Sequence, residues 1–419
     1  MGGWMEKTRI STEYFSSLSL VINSIRRGGA TTRPEVSRST GLSRTMVSKH
    51  VDTGKTLGLL EEGELGISTG GRAPRLLDFD ENIGVVLVAE LGASGMSVAK
   101  SDLKGNIGEI VEVEFDIADG PERILKILEE SFNSILEKED TRLWAIGIGL
   151  PGPVEFATGL PMSPPIMPGW DKYPVRRRFM EKYKVPVWVD NDVNVMALGE
   201  LAKNSDKIHR EFIYIKMGSG IGAGIITHGL LHRGAQGCAG DIGHIAISEP
   251  VKTICRCGNF GCLEAVAGGT AMAREAIAFA QTGKSNFLTQ RLERNGTLSA
   301  RDVIEGASHG DNWCVEAITS AGRQVGGILA TLVNFFNPSL IVIGGGVSSA
   351  KDLLLATIRE TLYRRSLPLA TRDLEIRLGE LDERIGLKGA AEMVLAELFQ
   401  PETFQQWVEC GYPSTPISL

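Results

Sequence analysis

The sequence is poor in cysteine and has no long apolar run. Six cysteines in 419 residues are too few for a secreted fold held together by disulfides. No uncharged apolar stretch approaches the roughly 20 residues that cross a bilayer, and residues 1–10 offer no apolar core for a signal peptide. These absences predict a cytoplasmic protein with reduced thiols and no membrane partner.

An overall excess of basic residues is also missing, because the net charge is −7. This charge excludes a chain that coats nucleic acid over its whole surface. Apolar residues make up 42% of the chain, enough for a large core, and the length predicts two or three domains at roughly 100–200 residues each. Residues 20–75 nevertheless carry nine Lys or Arg against five acids, which gives this segment a charge of +4 and the remainder −11. The asymmetry predicts a basic module on an acidic body.

The basic segment has the spacing of a helix-turn-helix. Apolar residues recur at helical spacing over residues 18–25, a second short helix is expected over residues 33–40, and Ser43 is a good N-cap for a third helix that begins at Arg44. The side chains expected to face inward from the third helix are Met46, Val47 and Val51. The side chains expected to contact DNA are Arg33, Arg44, Thr45, Ser48 and Lys49.

Two strand-like segments, residues 59–67 and 75–79, follow the third helix. A hairpin between them would form a wing, and Arg72 near its turn could enter a minor groove. The pattern predicts that residues 1–79 form a winged helix-turn-helix domain that binds DNA. Any small three-helix unit with solvated basic residues would share much of this pattern, so that alternative stays open.

From residue 83 onward, apolar strands alternate with amphipathic helices, which predicts an α/β fold. Gly-rich turns follow three of the strands, at residues 90–95, 218–224 and 344–346. Glycines let the backbone approach a phosphate and present N–H groups to it, so these turns indicate either a nucleotide site or tight hairpins. The candidate nucleotide-binding residues are Gly92, Ser94, Gly218, Ser219, Gly220 and Gly345.

Three cysteines, Cys255, Cys257 and Cys262, lie within eight residues, beside glycines that allow the loop to fold around an ion. His244 lies eleven residues upstream and is the candidate fourth ligand of a tetrahedral zinc. A closed set of three Cys and one His leaves no position open for water, so the predicted zinc is structural. The alternative is three ordinary reduced cysteines.

The triplet Asp190-Asn191-Asp192 follows a predicted strand and precedes a predicted helix. A carboxylate at the carboxyl end of a strand is where α/β sheets usually place ligand chemistry, and such a group could act as a general base. The same triplet is also an ordinary helix N-cap. Both interpretations stay open.

Together these motifs resemble those of the ROK family of repressors and sugar kinases, from about residue 15 to 398. The family's zinc signature, Cys-x-Cys-Gly-x-x-Gly-Cys-x-Glu, is complete at residues 255–264, and residues 240–244 resemble its Gly-Glu-x-Gly-His motif. Further similarities are the pair Asn191-Asp192, the Pro-Gly-Trp loop at residues 168–170, and the late strand and Gly turn at residues 337–347.

The resemblance implies an actin-like ATPase (ribonuclease H-like) fold, with two α/β lobes and a sugar in the cleft between them. The expected first lobe spans residues 80–198 together with a C-terminal helix at about 386–400. The expected second lobe, with the zinc site, spans residues 199–385.

The resemblance also implies roles for individual residues. In family members that are kinases, the Asp of the Asn-Asp pair activates the sugar hydroxyl, and Asp192 would take that role here. The residues that would contact the sugar are Asn191, Asp192, Asp241, His244 and Glu264. His244 would place one ring nitrogen on zinc and the other toward the sugar, whereas ATP and magnesium would be needed only by a kinase.

Three departures from the family pattern bear on activity and specificity. The phosphate motif Asp-x-Gly-Gly-Thr reads Glu-Leu-Gly-Ala-Ser at residues 90–94, so Glu90 and Ala93 are expected to crowd the phosphates or displace magnesium. Asp241 stands where Glu is usual, and residues 163–167 lack the Asn that commonly precedes the Pro-Gly-Trp loop.

The sequence therefore predicts a sugar-responsive transcriptional regulator rather than an enzyme, with a repressor as the leading hypothesis. It would bind operator DNA as a dimer and a sugar or sugar phosphate in its body. The alternative is an ATP-dependent sugar kinase of the glucokinase or N-acetylhexosamine kinase type, with Asp192 as the base. A regulator that senses a partner protein is a third possibility, and the choice between dimer and tetramer stays open.

Overall fold

The computed structural model describes residues 12–65, 74–203, 209–248, 251–379, 384–408 and 410–414. The chain begins with a small module of three helices and a hairpin. Its elements are α1 (Thr12–Arg26), α2 (Arg33–Thr40), α3 (Arg44–Thr56), β1 (Leu60–Leu65) and β2 (Arg75–Phe79). The two strands pair antiparallel, with Leu60 opposite Phe79.

The turn between α2 and α3 forms as the sequence predicts. Helix α2 ends at Gly41, whose φ of 72° is the left-handed conformation that glycine adopts without strain. Ser43 then caps α3, because its side chain accepts the backbone N–H of Met46. Gly54 lies inside α3, where the side chain of Leu60 leaves no space for a Cβ atom.

The expectation that Met46 faces inward is wrong, because this side chain is 43% exposed. The buried positions of α3 are Val47, His50, Val51 and Gly54. These positions follow the spacing of one helical face. Met46 lies one residue, or about 100° of helical rotation, away from Val47 and therefore joins the outer face of the helix.

The first lobe of the body is built on a five-stranded sheet. Its elements are β3 (Val85–Leu91), β4 (Gly95–Ser101), β5 (Ile107–Glu114), α4 (Pro121–Leu136), β6 (Leu143–Leu150), β7 (Val154–Glu155), β8 (Leu160–Pro161), α5 (Val175–Tyr183), β9 (Val187–Asn191) and α6 (Asp192–Lys203). The strand order is β5-β4-β3-β6-β9. Strands β3, β6 and β9 are parallel, whereas β4 is antiparallel to both of its neighbours.

The second lobe repeats this arrangement. Its elements are β10 (Phe212–Met217), β11 (Ile221–Thr227), β12 (Leu230–Leu231), α7 (Leu263–Ala267), α8 (Gly269–Ala280), α9 (Asn286–Asn295), α10 (Ala300–Ser308), α11 (Asn312–Phe336), β13 (Leu340–Gly344), α12 (Asp352–Arg365), α13 (Pro368–Thr371) and β14 (Glu375–Leu378). The strand order of its five-stranded sheet is β12-β11-β10-β13-β14. If the five strands of each sheet are numbered along the chain, both sheets have the order 3-2-1-4-5. The predicted fold of two α/β lobes is confirmed.

Two more helices, α14 (Ile385–Leu398) and α15 (Pro401–Val408), return the chain to the first lobe. Helices α6 and α14 pack with their backbones in contact, because a Cβ on Gly199 would overlap the carbonyl of Ile385. Helix α6 also presents Val193 to the core of the second sheet and Val195 to that of the first. It therefore lies between the two sheets. None of the described helices combines the length and the apolar character needed to cross a membrane.

The N-terminal module shares a hydrophobic core with the body. Phe15 and Leu18 of α1 belong to the same buried cluster as Phe399 and Trp407, which lie at the end of α14 and on α15. At the same interface, burial lowers the pKa of Arg26 to about 10. The module is thus packed against the body through α1.

Candidate functional site

A cleft lies between the two lobes, at the carboxyl ends of β9 and β10. Its wall combines Ala93 and Ile166 from the first lobe with Ser219 from the second. The five residues predicted to hold a sugar all line this cleft: Asn191, Asp192, Asp241, His244 and Glu264. The fold therefore brings together side chains from three separate segments of the sequence.

Asn191 and Asp192 lie at the junction of β9 and α6. The Oδ1 atom of Asn191 accepts the backbone N–H of Val193 at 3.0 Å, and its Nδ2 atom donates to the carbonyl of Gly152 at 2.7 Å. The helix-cap interpretation therefore describes Asn191. Asp192 forms the first turn of α6, where its carboxylate borders the cleft.

Asp190, the residue before Asn191 on β9, is 1% exposed. Its two carboxylate oxygens accept hydrogen bonds of 2.8 Å, one from Nδ2 of Asn194 and one from Nε of Arg233. The guanidinium of Arg233 also lies 3.7 Å from the ring centroid of Phe156. These contacts attach the chain near residue 233, which leads into the Asp241–His244 segment, to the first lobe.

Lys216 was not among the site residues predicted from the sequence, yet its side chain reaches Asp192 in the cleft. Its Nζ atom lies 2.6 Å from Oδ2 of Asp192 and 3.8 Å from Oε1 of Glu90. Burial raises the pKa of Glu90 to about 7, although the nearby Lys216 charge acts in the opposite direction. The signal in the sequence was a single lysine within the apolar run Phe-Ile-Tyr-Ile-Lys-Met.

We expect the stability of the protein to depend on the ionisation of Glu90. Its pKa of about 7 in the folded protein exceeds the ordinary value of 4.5, so the folded state binds more protons between these pH values. The free energy of unfolding of the wild type should therefore fall, relative to Glu90→Gln, by on the order of 1–3 kcal/mol as the pH rises from 4.5 to 8. Urea unfolding at several pH values measures this difference. Glu109→Gln, at an exposed position of β5, is the control, and parallel pH curves for wild type and Glu90→Gln would contradict the prediction.

The predicted metal ligands come together on one side of the cleft. One ligand atom from each of His244, Cys255, Cys257 and Cys262 lies within 4.8 Å of the others. The Nδ1 atom of His244 is 3.5 Å from Sγ of Cys255, and the sulfurs of Cys257 and Cys262 are 3.7 Å apart. A tetrahedral zinc with bonds of roughly 2.0–2.3 Å separates its ligands by roughly 3.4–3.8 Å. The donor set and its spacing therefore fit zinc.

The cysteine loop also positions two candidate sugar residues. His244 directs Nδ1 toward the thiols and Nε2 toward Asp241, whose Oδ1 atom is 3.8 Å away. Cys262 is the N-cap residue of α7, and Glu264 lies in the first turn of that helix. The Oε2 atom of Glu264 accepts the backbone N–H of Ile221 at 3.1 Å. The cysteine loop and the start of β11 are thus both connected to Glu264 in the wall of the cleft.

The first two Gly-rich turns are hairpin turns. The N–H of Gly92 donates to the carbonyl of Gly95 at 2.7 Å, and the N–H of Gly218 donates to the carbonyl of Gly220 at 2.9 Å. Residues 221–224, expected to belong to the second turn, instead continue the antiparallel register of β11 with β10. The hairpin alternative describes both turns, and nucleotide binding by them stays a prediction.

The remaining candidate nucleotide residues are Ser219, Ser94 and Gly345. Ser219 lines the cleft, and Ser94 lines its outward extension. Gly345 has a φ of 83° and packs against the backbone of Met217, where a Cβ would lie 2.6 Å from the carbonyl oxygen. Close packing of β13 on β10 therefore accounts for this glycine without a ligand.

The Pro-Gly-Trp loop contributes to the cleft through the residues that precede it. Pro165 and Ile166 line the cavity. Trp170 is fully buried in the first lobe and donates its Nε1–H to the carbonyl of Ile117 at 3.3 Å. The indole thus anchors the loop to the lobe rather than facing the cavity.

The exposed face of α3 carries most of the predicted DNA contacts. Arg44, Thr45 and Lys49 are exposed, and Ser48 is partly exposed. The Lys49 ammonium lies 5.0 Å from the ring centroid of Tyr14 on α1. One helix therefore presents these four polar side chains outward beside the α2–α3 turn.

Two other predicted DNA contacts differ from this group. The guanidinium of Arg33 pairs with Asp52 at 2.8 Å and with Glu62 at 3.0 Å, and it donates to the carbonyl of Ser48 at 3.1 Å. These bonds connect α2, α3 and β1, so Arg33 takes part in ion pairs within the module, and its contact with DNA stays a prediction. Arg72 lies outside the described residues.

Comparison with known proteins places these features in one family. The profile of the ROK family matches residues 86–397. A xylose repressor from Caldicellulosiruptor bescii is 30% identical over 385 residues, which cover 90% of this chain and 95% of that protein. A glucokinase from Halalkalibacterium halodurans is 32% identical over 308 residues, which cover 73% of this chain and 93% of that enzyme.

A solved structure extends the similarity to both parts of the chain. The crystal structure of a ROK family transcriptional regulator, a homologue of the Escherichia coli MLC protein, superimposes with a TM-score of 0.80 at 25% identity. The alignment covers 95% of this chain and all of that one. From the matched profile, the repeated lobes and the length of these alignments, we conclude that the chain belongs to the ROK family.

Proposed function

We propose that this protein is a sugar-responsive transcriptional repressor that acts in the cytoplasm. Residues 1–79 would bind operator DNA, and the cleft between the lobes at residues 80–198 (with the helix near 386–400) and 199–385 would bind the sugar. The observation that carries the proposal is the shared core, which packs a helix-turn-helix module directly against the body that contains the cleft. A sugar that changes the position of α14 would act on the module through this core.

The similarity to a repressor includes part of the N-terminal module. Only 340 residues follow residue 79, whereas the alignment with the xylose repressor spans 385 residues. The glucokinase alignment, with 308 residues, is short enough to lie within the body. This difference favours regulation over catalysis.

DNA would be bound by a dimer with one recognition helix in each half-site. Helix α3 is the recognition helix, because its outer face carries Arg44, Thr45, Ser48 and Lys49. Side chains of these types reach base edges and phosphates in a major groove. A symmetric dimer would therefore read a pseudo-palindromic site.

Replacing Arg44 by alanine should weaken binding to operator DNA by roughly 10–100-fold, because a guanidinium contact in a groove contributes about 1–3 kcal/mol. Fluorescence anisotropy with the DNA upstream of the protein's own gene, at one fixed salt concentration, measures the change. Sugar binding should be unaffected, since Arg44 is on the outer face of the module. Arg123→Ala removes an exposed guanidinium from the body and is the matched control. An equal loss in both variants would show that Arg44 makes no specific contact.

The sugar response itself is tested by the same DNA assay. We expect specific binding in the absence of sugar and its release by one member of a panel of sugars and sugar phosphates. This result requires the sugar to bind the two states of the repressor with different affinity. Failure to bind specific DNA under any condition would contradict the proposal.

We propose one zinc per chain, held by His244, Cys255, Cys257 and Cys262, as the structural cofactor. The spacing of the four donor atoms supports it. Zinc would tie His244 to the cysteine loop, which leads to Glu264.

An ATP-dependent sugar kinase is the second candidate function. It is favoured by the similarity to a glucokinase and by the position of Asp192 in the cleft. ATP and magnesium would then bind near Gly92, Ser94 and Ser219. Sugar-dependent ATP turnover that Asp192→Asn abolishes, with sugar binding retained, would support this function over the first.

A further inference from the structure

Lys216 is a charged residue on a strand whose other residues are buried. Every other member of β10 is buried, and the side chain of Lys216 is itself only 20% exposed. Removing an ammonium from water is costly unless opposite charges surround it. The charge of Lys216 must therefore be balanced by neighbouring groups.

Two carboxylates from two different elements face this ammonium. Asp192 from α6 is within 2.6 Å, and Glu90 from β3 is within 3.8 Å. Both acids are themselves shielded, with side chains 10% and 12% exposed. Burial lowers the pKa of Lys216, but the charges of Asp192 and Glu90 outweigh it, and the net pKa is raised. The lysine thus stays protonated at neutral pH.

Helix α14 closes this group from the other side. A Cβ on Gly386, in the first turn of α14, would overlap the carboxylate of Glu90. The absence of a side chain at Gly386 creates the space that Glu90 occupies. Glu90, Lys216 and Asp192 therefore form one packed cluster of charged side chains.

This arrangement conflicts with the requirements of phosphoryl transfer. A sugar hydroxyl needs a carboxylate that is available to take its proton, and the phosphates need a divalent cation to balance their charge. Here the ammonium donates a charge-assisted hydrogen bond to Asp192. The same ammonium already places one positive charge between the side chains of Asp192 and Glu90.

We propose that the ammonium of Lys216 is a permanent positive charge that balances the acids of the cleft. It makes the cleft a receptor for an uncharged sugar and not a site for metal–nucleotide binding and phosphoryl transfer. The inference rests on the proposed function only in that the cleft binds a sugar. Lys216 acts on the sugar through Asp192, whose carboxylate it orients toward the cavity as a hydrogen-bond acceptor.

The charges around the cavity argue for an uncharged ligand. Among the described residues that line this cleft, Lys216 is the one Lys or Arg, and Asp192 already takes its hydrogen bond. Asp241 and Glu264 add two further carboxylates to the wall. Inside the cleft a phosphate on the ligand would meet like charges, whereas sugar hydroxyls can donate to these oxygens. Arg256 and Arg274 line only the outward extension of the cleft.

Calorimetry on the full-length protein tests the proposal with D-xylose, D-glucose, N-acetyl-D-glucosamine and the phosphate esters of these sugars. We expect one free sugar to bind at least 10-fold more tightly than its phosphate. Its affinity should change less than twofold when magnesium and the ATP analogue AMPPNP are added. Tighter binding of a phosphate ester, phosphorylation of any of these sugars from MgATP, or failure of all of them to bind would overturn the proposal.

The variant Lys216→Met removes the charge at similar length and should weaken sugar binding at least 10-fold. Adding Asp192→Asn should recover part of this loss, because the double variant no longer leaves Asp192 charged without its partner. Lys182→Met removes an ammonium that pairs with Glu129 outside the cleft and should bind sugar as the wild type does. Wild-type affinity in Lys216→Met would overturn the role assigned to this lysine.

The DNA assay on the same preparations separates this inference from the proposed function. Specific DNA binding that no sugar releases, together with selective binding of a free sugar, would contradict the repressor and leave the role of Lys216 intact. Release of DNA by a sugar phosphate alone would contradict the role of Lys216 and leave the repressor intact.

Discussion

Replacing Cys257 by serine should release the zinc and weaken sugar binding by roughly 100-fold or more. Ligand loss at a structural zinc site removes much of the free energy that folds the surrounding loop. In this protein that loop contacts His244 through Cys255 and leads through Cys262 into the helix that carries Glu264. Both candidate sugar contacts should therefore lose their positions together.

Metal analysis by mass spectrometry and calorimetry with the binding sugar measure the two effects. The wild type should contain about one zinc per chain, and Cys257→Ser should contain far less. Cys410→Ser, at an exposed thiol outside the metal cluster, is the control and should keep both zinc and sugar binding. A folded wild type that binds sugar without zinc would show that the four residues serve another purpose.

The clustering of the three cysteines in one loop was predictable because its signals are local. Cys255, Cys257 and Cys262 are close in sequence, and Gly258 and Gly261 have φ values of 92° and 69° that permit the tight turn. The α2–α3 turn was predictable for the same reason, since Gly41 and Ser43 mark adjacent helix ends. Short-range turn and cap chemistry needs no knowledge of the tertiary fold.

The pairing of Lys216 with Asp192 and Glu90 was not predictable from these patterns. The three residues come from β10, α6 and β3, and their meeting depends on how the two sheets pack on α6.

The error at Met46 has a different origin. The sequence contains both Met46 and Val47, and the apolar character of each allows either to face the core. The packing of α1 and α2 against α3 leaves Val47 buried and Met46 exposed.

The docking of the N-terminal module on the body is the other feature that sequence patterns did not reveal. Asn23 of α1 donates to the carbonyl of Phe399 at 3.2 Å, a contact between residues 376 positions apart in the chain. Amphipathic spacing identifies the buried face of α1 but not its partner. This contact bears on the proposed regulation because it connects the N-terminal module to the end of the helix that packs on α6.

Replacing Phe399 by alanine should both destabilise the protein and disconnect sugar binding from DNA release. Phe399 is fully buried, and its ring centroid lies 5.8 Å from those of Phe79 in the module and Trp407 on α15. Removing a buried phenylalanine ring lowers the free energy of unfolding by about 3–5 kcal/mol. The cavity would also loosen the contact through which a movement of α14 reaches α1.

Phe132→Ala distinguishes this disconnection from simple instability. Phe132 is equally buried and packs edge-on against Phe179 and Tyr183 within the first lobe. It belongs to a core cluster separate from the one that joins the module to the body. Urea unfolding should show a similar loss of stability in both variants. The ratio of DNA affinities with and without sugar should stay near the wild-type value in Phe132→Ala and approach one in Phe399→Ala, because coupling requires that both ligands bias the same packed element. If Phe399→Ala keeps the wild-type ratio, the sugar signal reaches the DNA-binding module by a route other than the shared core.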